Sequence, residues 1–433
     1  MKSSGIEWIG DIPEDWEVKK LKYVAELDPT ISKFLGDNDI VSFAPMECLG
    51  EQTLSPYETE YGKVKGKYTY FANEDIIMAK VTPCFENGNI AIAKNLKNNV
   101  AFGSSELFVF RAKNISNSFL MYSLYSEPFK SLAKSTMYGT GGLKRVSPEF
   151  ILNYKIPFPP LKTQEKIADY LDEKCGEIDA TITKQKESIE KLKAYKQSLI
   201  SETVTKGLDK SAPLKPSGIE WIGDIPAHWE VKRIKELFSF GKGLPISKED
   251  LIENGVPVIN YGQIHSKDNN GTSIKDSLIR YVDLNYKNTN MTSLVESGDF
   301  IFADTSEDLD GCGNCIYVDS KYPIFAGYHC IILRSIKRNS SKYLAYLFHM
   351  DAWRTQIRRN VTGVKVFSIS KKILGKSYLI FPPRYEQECI VDYLHEKCNE
   401  IDAIINKKQN IIQKLDAYKK SLIFECITGK QIT

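Results

Sequence analysis

Residues 158–208 read FPPLKTQEKIADYLDEKCGEIDATITKQKESIEKLKAYKQSLISETVTKGL, and residues 381–431 read FPPRYEQECIVDYLHEKCNEIDAIINKKQNIIQKLDAYKKSLIFECITGKQ. The two align without a gap at an offset of 223, with 29 of 51 positions identical. In the first copy Leu171, Cys175, Ile178, Ile182, Gln185, Ile189, Leu192, Lys196 and Leu199 follow one another in steps of four and three. Leu394, Cys398, Ile401, Ile405, Lys408, Ile412, Leu415, Lys419 and Leu422 do the same in the second. That is the a/d spacing of a heptad repeat, sustained over about four heptads. No proline interrupts either run, and Pro159-Pro160 and Pro382-Pro383 end a preceding strand. Each copy predicts one helix of roughly 40 residues, about 60 Å long. The apolar seam needs a partner, and the other copy is equal in length and register. The expectation is an intramolecular antiparallel pair, with a coiled coil between two chains as the competing arrangement. Leu171, Ile178, Ile182, Ile189, Leu192 and Leu199 would face Leu394, Ile401, Ile405, Ile412, Leu415 and Leu422. The polar seam positions Gln185, Lys196, Lys408 and Lys419 either set register or sit at the seam edge.

A second, shorter repeat precedes each long one: SGIEWIGDIP at 4–13 and again at 217–226. The order is short motif, variable segment, long motif, twice over. A period of half the chain marks a duplicated module rather than a solenoid. Two equivalent modules suit a target with two half-sites or a symmetric pair of partners. The fold class expected is α+β: two α/β domains in pseudo-twofold arrangement, separated by two long antiparallel coiled-coil helices. The divisions are 1–157, 158–208, 209–380 and 381–433.

The variable segments alternate short β patterns with turns, at 68–71, 75–81, 89–93 and 106–111, then 257–261, 299–303, 315–318 and 330–333. Helical patterns lie near 117–133 and 341–357. Asp75-Ile76-Ile77 faces Asp299-Phe300-Ile301, and Ser147 matches Ser370. Weak similarity between strong flanks suggests one fold with two specificities.

The chain carries nine cysteines without framework spacing, no signal segment and no membrane-length apolar run, which points to reduced thiols in a cytoplasm. The net charge of +3 argues little by itself. Its distribution says more: 128–148 and 352–380, at matching places in the two modules, hold Lys and Arg and no acid. Each module offers two loops. Lys80 to Gly88 follows the strand after Asp75, and 304–314 is its counterpart; Tyr138 to Arg145 lies in the first acid-free stretch, opposite Arg358 to Lys365. Glycines allow close backbone approach, hydroxyls and amides bind phosphates or base edges, and Arg and Lys bind phosphate or guanine. The candidate DNA contacts are Lys80, Thr82, Asn87, Lys134, Tyr138, Gly139, Thr140, Gly142, Lys144 and Arg145 in the first module. In the second they are Thr305, Ser306, Asn314, Arg354, Arg358, Arg359, Thr362 and Lys365. The alternative is ordinary turns on a solvated basic face. Asp304, Glu307, Asp308 and Asp310 make the second loop acidic, either to accept from cytosine amino groups or to face a protein.

Catalytic constellations are missing. Cys312 and Cys315 form a single CxxC where zinc needs four ligands, the five histidines show no ligand spacing, and Gly139 to Gly142 lacks the ending of a phosphate-binding loop. Glu17-Val-Lys19 and Glu230-Val-Lys232 have no upstream acid, and Phe rather than Asn or Asp precedes the Pro-Pro pairs.

The chain resembles, along essentially its whole length, the DNA-specificity subunit of type I restriction–modification systems. The residues that carry the likeness are Trp8–Trp16 and Trp221–Trp229, the segments 158–171 and 381–394, and the 80–88 loop. The resemblance implies two target-recognition domains that each read one half of a split duplex target, with the helices as a ruler between them. It implies no catalysis and no cofactor on this chain. Two methyltransferase subunits would bring S-adenosylmethionine and methylate adenine N6, and a translocase-nuclease subunit would use ATP and magnesium. The other readings are a coiled-coil adaptor whose variable domains bind protein, and a stand-alone nuclease or methyltransferase.

Overall fold

In the computed structural model of the chain, residues 1–31, 34–140, 142–336 and 342–431 are described. The chain forms two compact units, Met1–Lys186 with Lys408–Thr433, and Glu187–Lys407.

The first unit holds two four-stranded sheets. In one, Ala25–Leu27, Leu107–Ala112, Ile76–Ala79 and Ile90–Ile92 are neighbours in that order, all antiparallel. In the other the order is Tyr57–Glu60, Ile40–Ala44, Val100–Gly103 and Thr69–Ala72, with a parallel central pair. The second unit repeats both patterns. Phe238–Lys242, Cys330–Ser335, Phe300–Ala303 and Cys315–Tyr317 form the antiparallel sheet. Arg280–Val282, Val256–Ile259, Ile324–Ala326 and Leu294–Val295 form the mixed one, again parallel at its centre. The strands Ile76–Ala79 and Phe300–Ala303 are buried throughout, as apolar runs covered on both faces should be. The α+β class, with one fold used twice, is therefore observed.

Local chemistry agrees between the units. Asp75 accepts from the Ala72 amide (2.7 Å) and Asp299 from the Glu296 amide (3.1 Å), each closing the turn before its strand. Ser147 and Ser370 cap short helices by accepting from Phe150 and Ile373. The helical patterns resolve into Asn117–Tyr125 with Glu127–Ser135, and Lys342–His349 with Asp351–Arg358; Ser341 lies outside the described residues.

The long helices are Leu161–Lys206 and Arg384–Ile427, 46 and 44 residues. They pair in antiparallel fashion within each unit. In the first, Lys419 donates to Asp179 (2.8 and 2.9 Å) and Lys408 to Gln185 (2.9 Å). In the second, Lys196 donates to Asp402 (2.7 Å). At the repeat offset Lys196 is equivalent to Lys419, Asp179 to Asp402 and Gln185 to Lys408. The polar seam positions are thus bonded across the seam, and they fix register, since a slip of one turn breaks all of them. Leu171, Cys175, Ile178, Ile182 and Leu422 join the first unit's core, and Leu394 and Cys398 the second's. Burial pushes the Cys175 thiol up to about 11.

Each short motif closes the end of a long helix. Gly207 and Gly429 follow the helices in left-handed conformation (φ +75° and +71°), and a Cβ there would meet Trp229 and Trp16, each at 3.1 Å. Gln164 and Gln387, both buried, donate to the carbonyls of Pro159 and Pro382 at 2.8 Å and lock the helix starts.

A first prediction concerns the seam. The Lys419 side chain is only 8% exposed. Asp179→Ala leaves that ammonium without its partner and is expected to destabilise by about 1–3 kcal/mol, whereas Lys419→Met should be close to neutral because an apolar side chain suits the seam. Urea unfolding of both variants checks this; equal losses contradict it.

Candidate nucleic-acid interface

In the first unit the two candidate loops are one structure. The Thr82 amide donates to the Lys144 carbonyl (2.9 Å), and the Thr82 hydroxyl donates to the Gly142 carbonyl (2.8 Å) while accepting from the Lys144 amide (3.0 Å). Lys80 donates through its amide to Glu106 and accepts from Val146. Tyr138 and Arg145 exchange backbone hydrogen bonds and close the stem of a hairpin. Gly139 has φ +135°, and a Cβ there would lie 2.3 Å from the Leu143 carbonyl oxygen, so only glycine fits. Gly141 lies outside the described residues. Tyr138, Thr140, Gly142 and Lys144 are exposed around the tip, with Asn87 exposed on the facing loop.

Two of the candidate cations are engaged internally. Arg145 holds Glu106 through two hydrogen bonds (2.8 and 2.9 Å), and Lys134 pairs with Glu86 at 2.6 Å. The Arg145 guanidinium holds the Glu106 carboxyl below the usual carboxylate range. A depressed folded pKa means that the pair contributes above the unfolded pKa and is lost as pH falls through the folded one. A chemical-shift titration of the Glu106 carboxyl is therefore expected to stay flat from neutral pH down and to move only below the ordinary glutamate value of about 4.3. A midpoint at or above that value contradicts the stem geometry.

The second unit repeats the arrangement with different residues. Thr305–Ser306 pairs with Phe367–Ser368, the Ile369 amide donates to Asp304 (2.7 Å), and the Ser368 amide donates to Thr362 (3.0 Å). Gly363 (φ +140°) plays the part of Gly139, its Cβ position lying 2.0 Å from the Val366 carbonyl oxygen. Thr362 and Lys365 are exposed at this tip; Ser306 is buried. His265 Nε2 lies 2.8 Å from the Thr305 carbonyl oxygen, which only accepts, so Nε2 carries the proton and Nδ1 accepts from the Asn314 amide (3.0 Å).

The second unit's arginines are placed differently. Arg354 is half-buried and donates to the Phe348 carbonyl and to His349 Nδ1, both at 3.1 Å. Burial and the Arg354 charge push His349 down to about 3, which keeps its ring neutral. Arg358 binds Asp351 (2.6 Å) and the Asp310 carbonyl (3.1 Å), and Arg359 binds Glu220 of the short repeat (2.8 Å). Glu307, Asp308 and Asp310 border a cavity of about 630 Å³ beside the hairpin, with Tyr261, His265 and His329 on its wall. Tyr261, His265 and His329 escape the sequence reading because nothing equivalent to the two histidines exists in the first module. Glu106 escapes because its partner lies 39 residues away.

Among the described residues, no group of histidine, cysteine and acidic side chains is arranged to hold a metal, and no helix is long and apolar enough to cross a membrane. Burial pushes both CxxC thiols up, Cys315 to about 12.

The sequence profile of the type I restriction modification DNA specificity domain matches residues 13–193 and again 226–414, most of the chain and both modules. The chain belongs to that family. Its relatives include the Escherichia coli EcoEI and EcoAI specificity subunits, 38% and 40% identical over 162 residues. Those alignments take in 36% of this chain and 27% of each relative, so the chain spans about a quarter of their length. The MjaVIII specificity subunit of Methanocaldococcus jannaschii is 24% identical over 97% of this chain and 93% of its own. Among solved structures, a chain described under complex assembly and conformational transition of the type I R-M system superposes with a TM-score of 0.72 at 17% identity, over 97% of this chain and 100% of that one. The HsdS subunit from Thermoanaerobacter tengcongensis gives 0.54 at 17%, over 97% and 98%. At such identities the superpositions speak for the specificity-subunit fold.

Proposed function

We propose that this chain is the DNA-recognition subunit of a type I restriction–modification complex and catalyses nothing itself. Each unit reads one half of a split duplex target through its paired loop and hairpin, and the antiparallel helices set the distance between the halves. Two modification subunits, carrying S-adenosylmethionine, methylate adenine N6 in each half; a translocase-nuclease subunit with ATP and magnesium joins for cleavage in the cytoplasm. The observation that carries this reading is the same loop-and-hairpin junction, built twice from different residues, at the same edge of a duplicated fold. One recognition device with two specificities is what a two-part target asks for.

Lys144 and Lys365, exposed at the two tips, are assigned to phosphates, and Thr140 and Thr362 to phosphate or base edges, while the Thr82 hydroxyl is committed to the Gly142 carbonyl and the Lys144 amide. Arg145, Lys134, Arg354 and Arg358 are engaged by groups of their own unit, Lys134 and Arg145 in ion pairs at the surface. Duplex affinity of the assembled complex should fall linearly with the logarithm of salt concentration. Lys144→Ala and Lys365→Ala should each reduce the slope by about 0.9 and weaken all sequences alike. Affinity that ignores salt would favour an adaptor that binds protein.

A further inference from the structure

Both hairpins end in exposed aliphatic side chains. Leu143 is 55% exposed, Val364 94% and Val366 51%. Isolated exposed apolar residues are ordinary, but these occupy equivalent places, each beside an exposed lysine, Lys144 or Lys365. Each tip is held by a rigid stem: the Thr82 clamp and the Arg145–Glu106 pair in the first unit, the strand pair Thr305–Ser306 with Phe367–Ser368 in the second. A glycine with φ near +135° or +140°, at which any Cβ would strike a backbone carbonyl, turns each tip. The stems hold both apolar tips out in solvent. The stretches that hold the tips, 128–148 and 352–380, carry no acid of their own, and in the first unit the acids Glu86 and Glu106 are paired with Lys134 and Arg145. Lys144 and Lys365, exposed beside Leu143 and Val364, suit an anionic surface.

We propose that Leu143 and Val364 are wedges that enter the duplex at the two half-sites and partly unstack a base step, so that the DNA is kinked when it is read. This rests on the DNA-recognition reading above and adds how each half-site is deformed. Apolar side chains inserted between base steps kink duplexes by about 20–90° while flanking cations hold the phosphates, and the ease of unstacking then adds sequence preference at positions that no side chain touches. In the first unit the wedge is the larger, and Lys144 follows it directly. In the second, Val364 leads, while Val366 borders the acidic cavity.

The test is end-to-end energy transfer on a duplex carrying the methylated motif, bound by the full chain with its modification subunits at low salt. The wild-type complex should shorten the end-to-end distance. Leu143→Ser or Val364→Ser should restore part of it, and the double variant should restore most of it while low-salt affinity stays within about threefold. Leu143→Phe, which keeps an apolar wedge, should bend the duplex at least as much as wild type. A wild-type complex that binds without bending overturns the wedge and leaves DNA recognition standing; a wild-type complex that binds no duplex overturns both. A double variant that bends like wild type, or that folds but no longer binds at low salt, also overturns the wedge.

Discussion

Inserting one heptad into both long helices, directly after Gln185 and directly before Lys408, is expected to widen the gap between the half-sites by about three base pairs. Seven residues add about 10.5 Å of helix at 1.5 Å each, and duplex DNA rises about 3.4 Å per base pair. Seven is the smallest insertion that keeps the a/d seam in phase. At these points the Gln185–Lys408 and Asp179–Lys419 bonds keep their register, and Lys196 and Asp402 move together. The same insertion in one helix alone pulls Lys196 away from Asp402 and should cost stability without giving a new spacing. Methylation mapping of cells that carry the doubly inserted chain reads the gap directly; an unchanged gap contradicts the ruler.

The second large effect concerns stability. Trp229→Ala is expected to destabilise the second unit by about 3–5 kcal/mol, the usual result of emptying a tryptophan site. Trp229 is fully buried. Its indole N–H donates to Glu386 (2.8 Å), its ring meets Tyr343 edge-on, and it covers Gly207 at the end of the central helix. Truncation leaves a cavity at the junction of short motif and helix and removes one of the groups that bind the Glu386 carboxylate. At about 2–4 °C per kcal/mol for a unit of this size, calorimetry should show a melting transition lowered by roughly 10 °C. A shift of a degree or two would mean that the short motif is not structural.

The helices were legible because a seam is periodic: Leu171, Ile178 and Ile182 announce their face without knowledge of the partner. The acids that answer the seam lysines were not, because Asp179 and Asp402 lie outside the a/d positions and are found only once the helices are set antiparallel. The strands were visible as short β patterns, yet their order across the sheets was not, since neighbours such as Ile40–Ala44 and Val100–Gly103 are distant in sequence. The two loops of each module were read as separate features. What joins them in the first module is a threonine hydroxyl with backbone bonds about 60 residues apart, and in the second the strand pair Thr305–Ser306 with Phe367–Ser368, which no local pattern encodes. Charge was the coarsest guide: Arg354 and Arg358 looked like phosphate ligands, whereas a backbone carbonyl, His349 and Asp351 occupy them.

The most direct measurement is long-read mapping of adenine methylation in cells that hold the modification subunits, with and without this chain. A split motif with N6-methyladenine in both halves, present with the chain and lost without it, is the predicted result. Methylation that stays the same while the chain is shown to assemble with the modification subunits would contradict its role as the reader of the target.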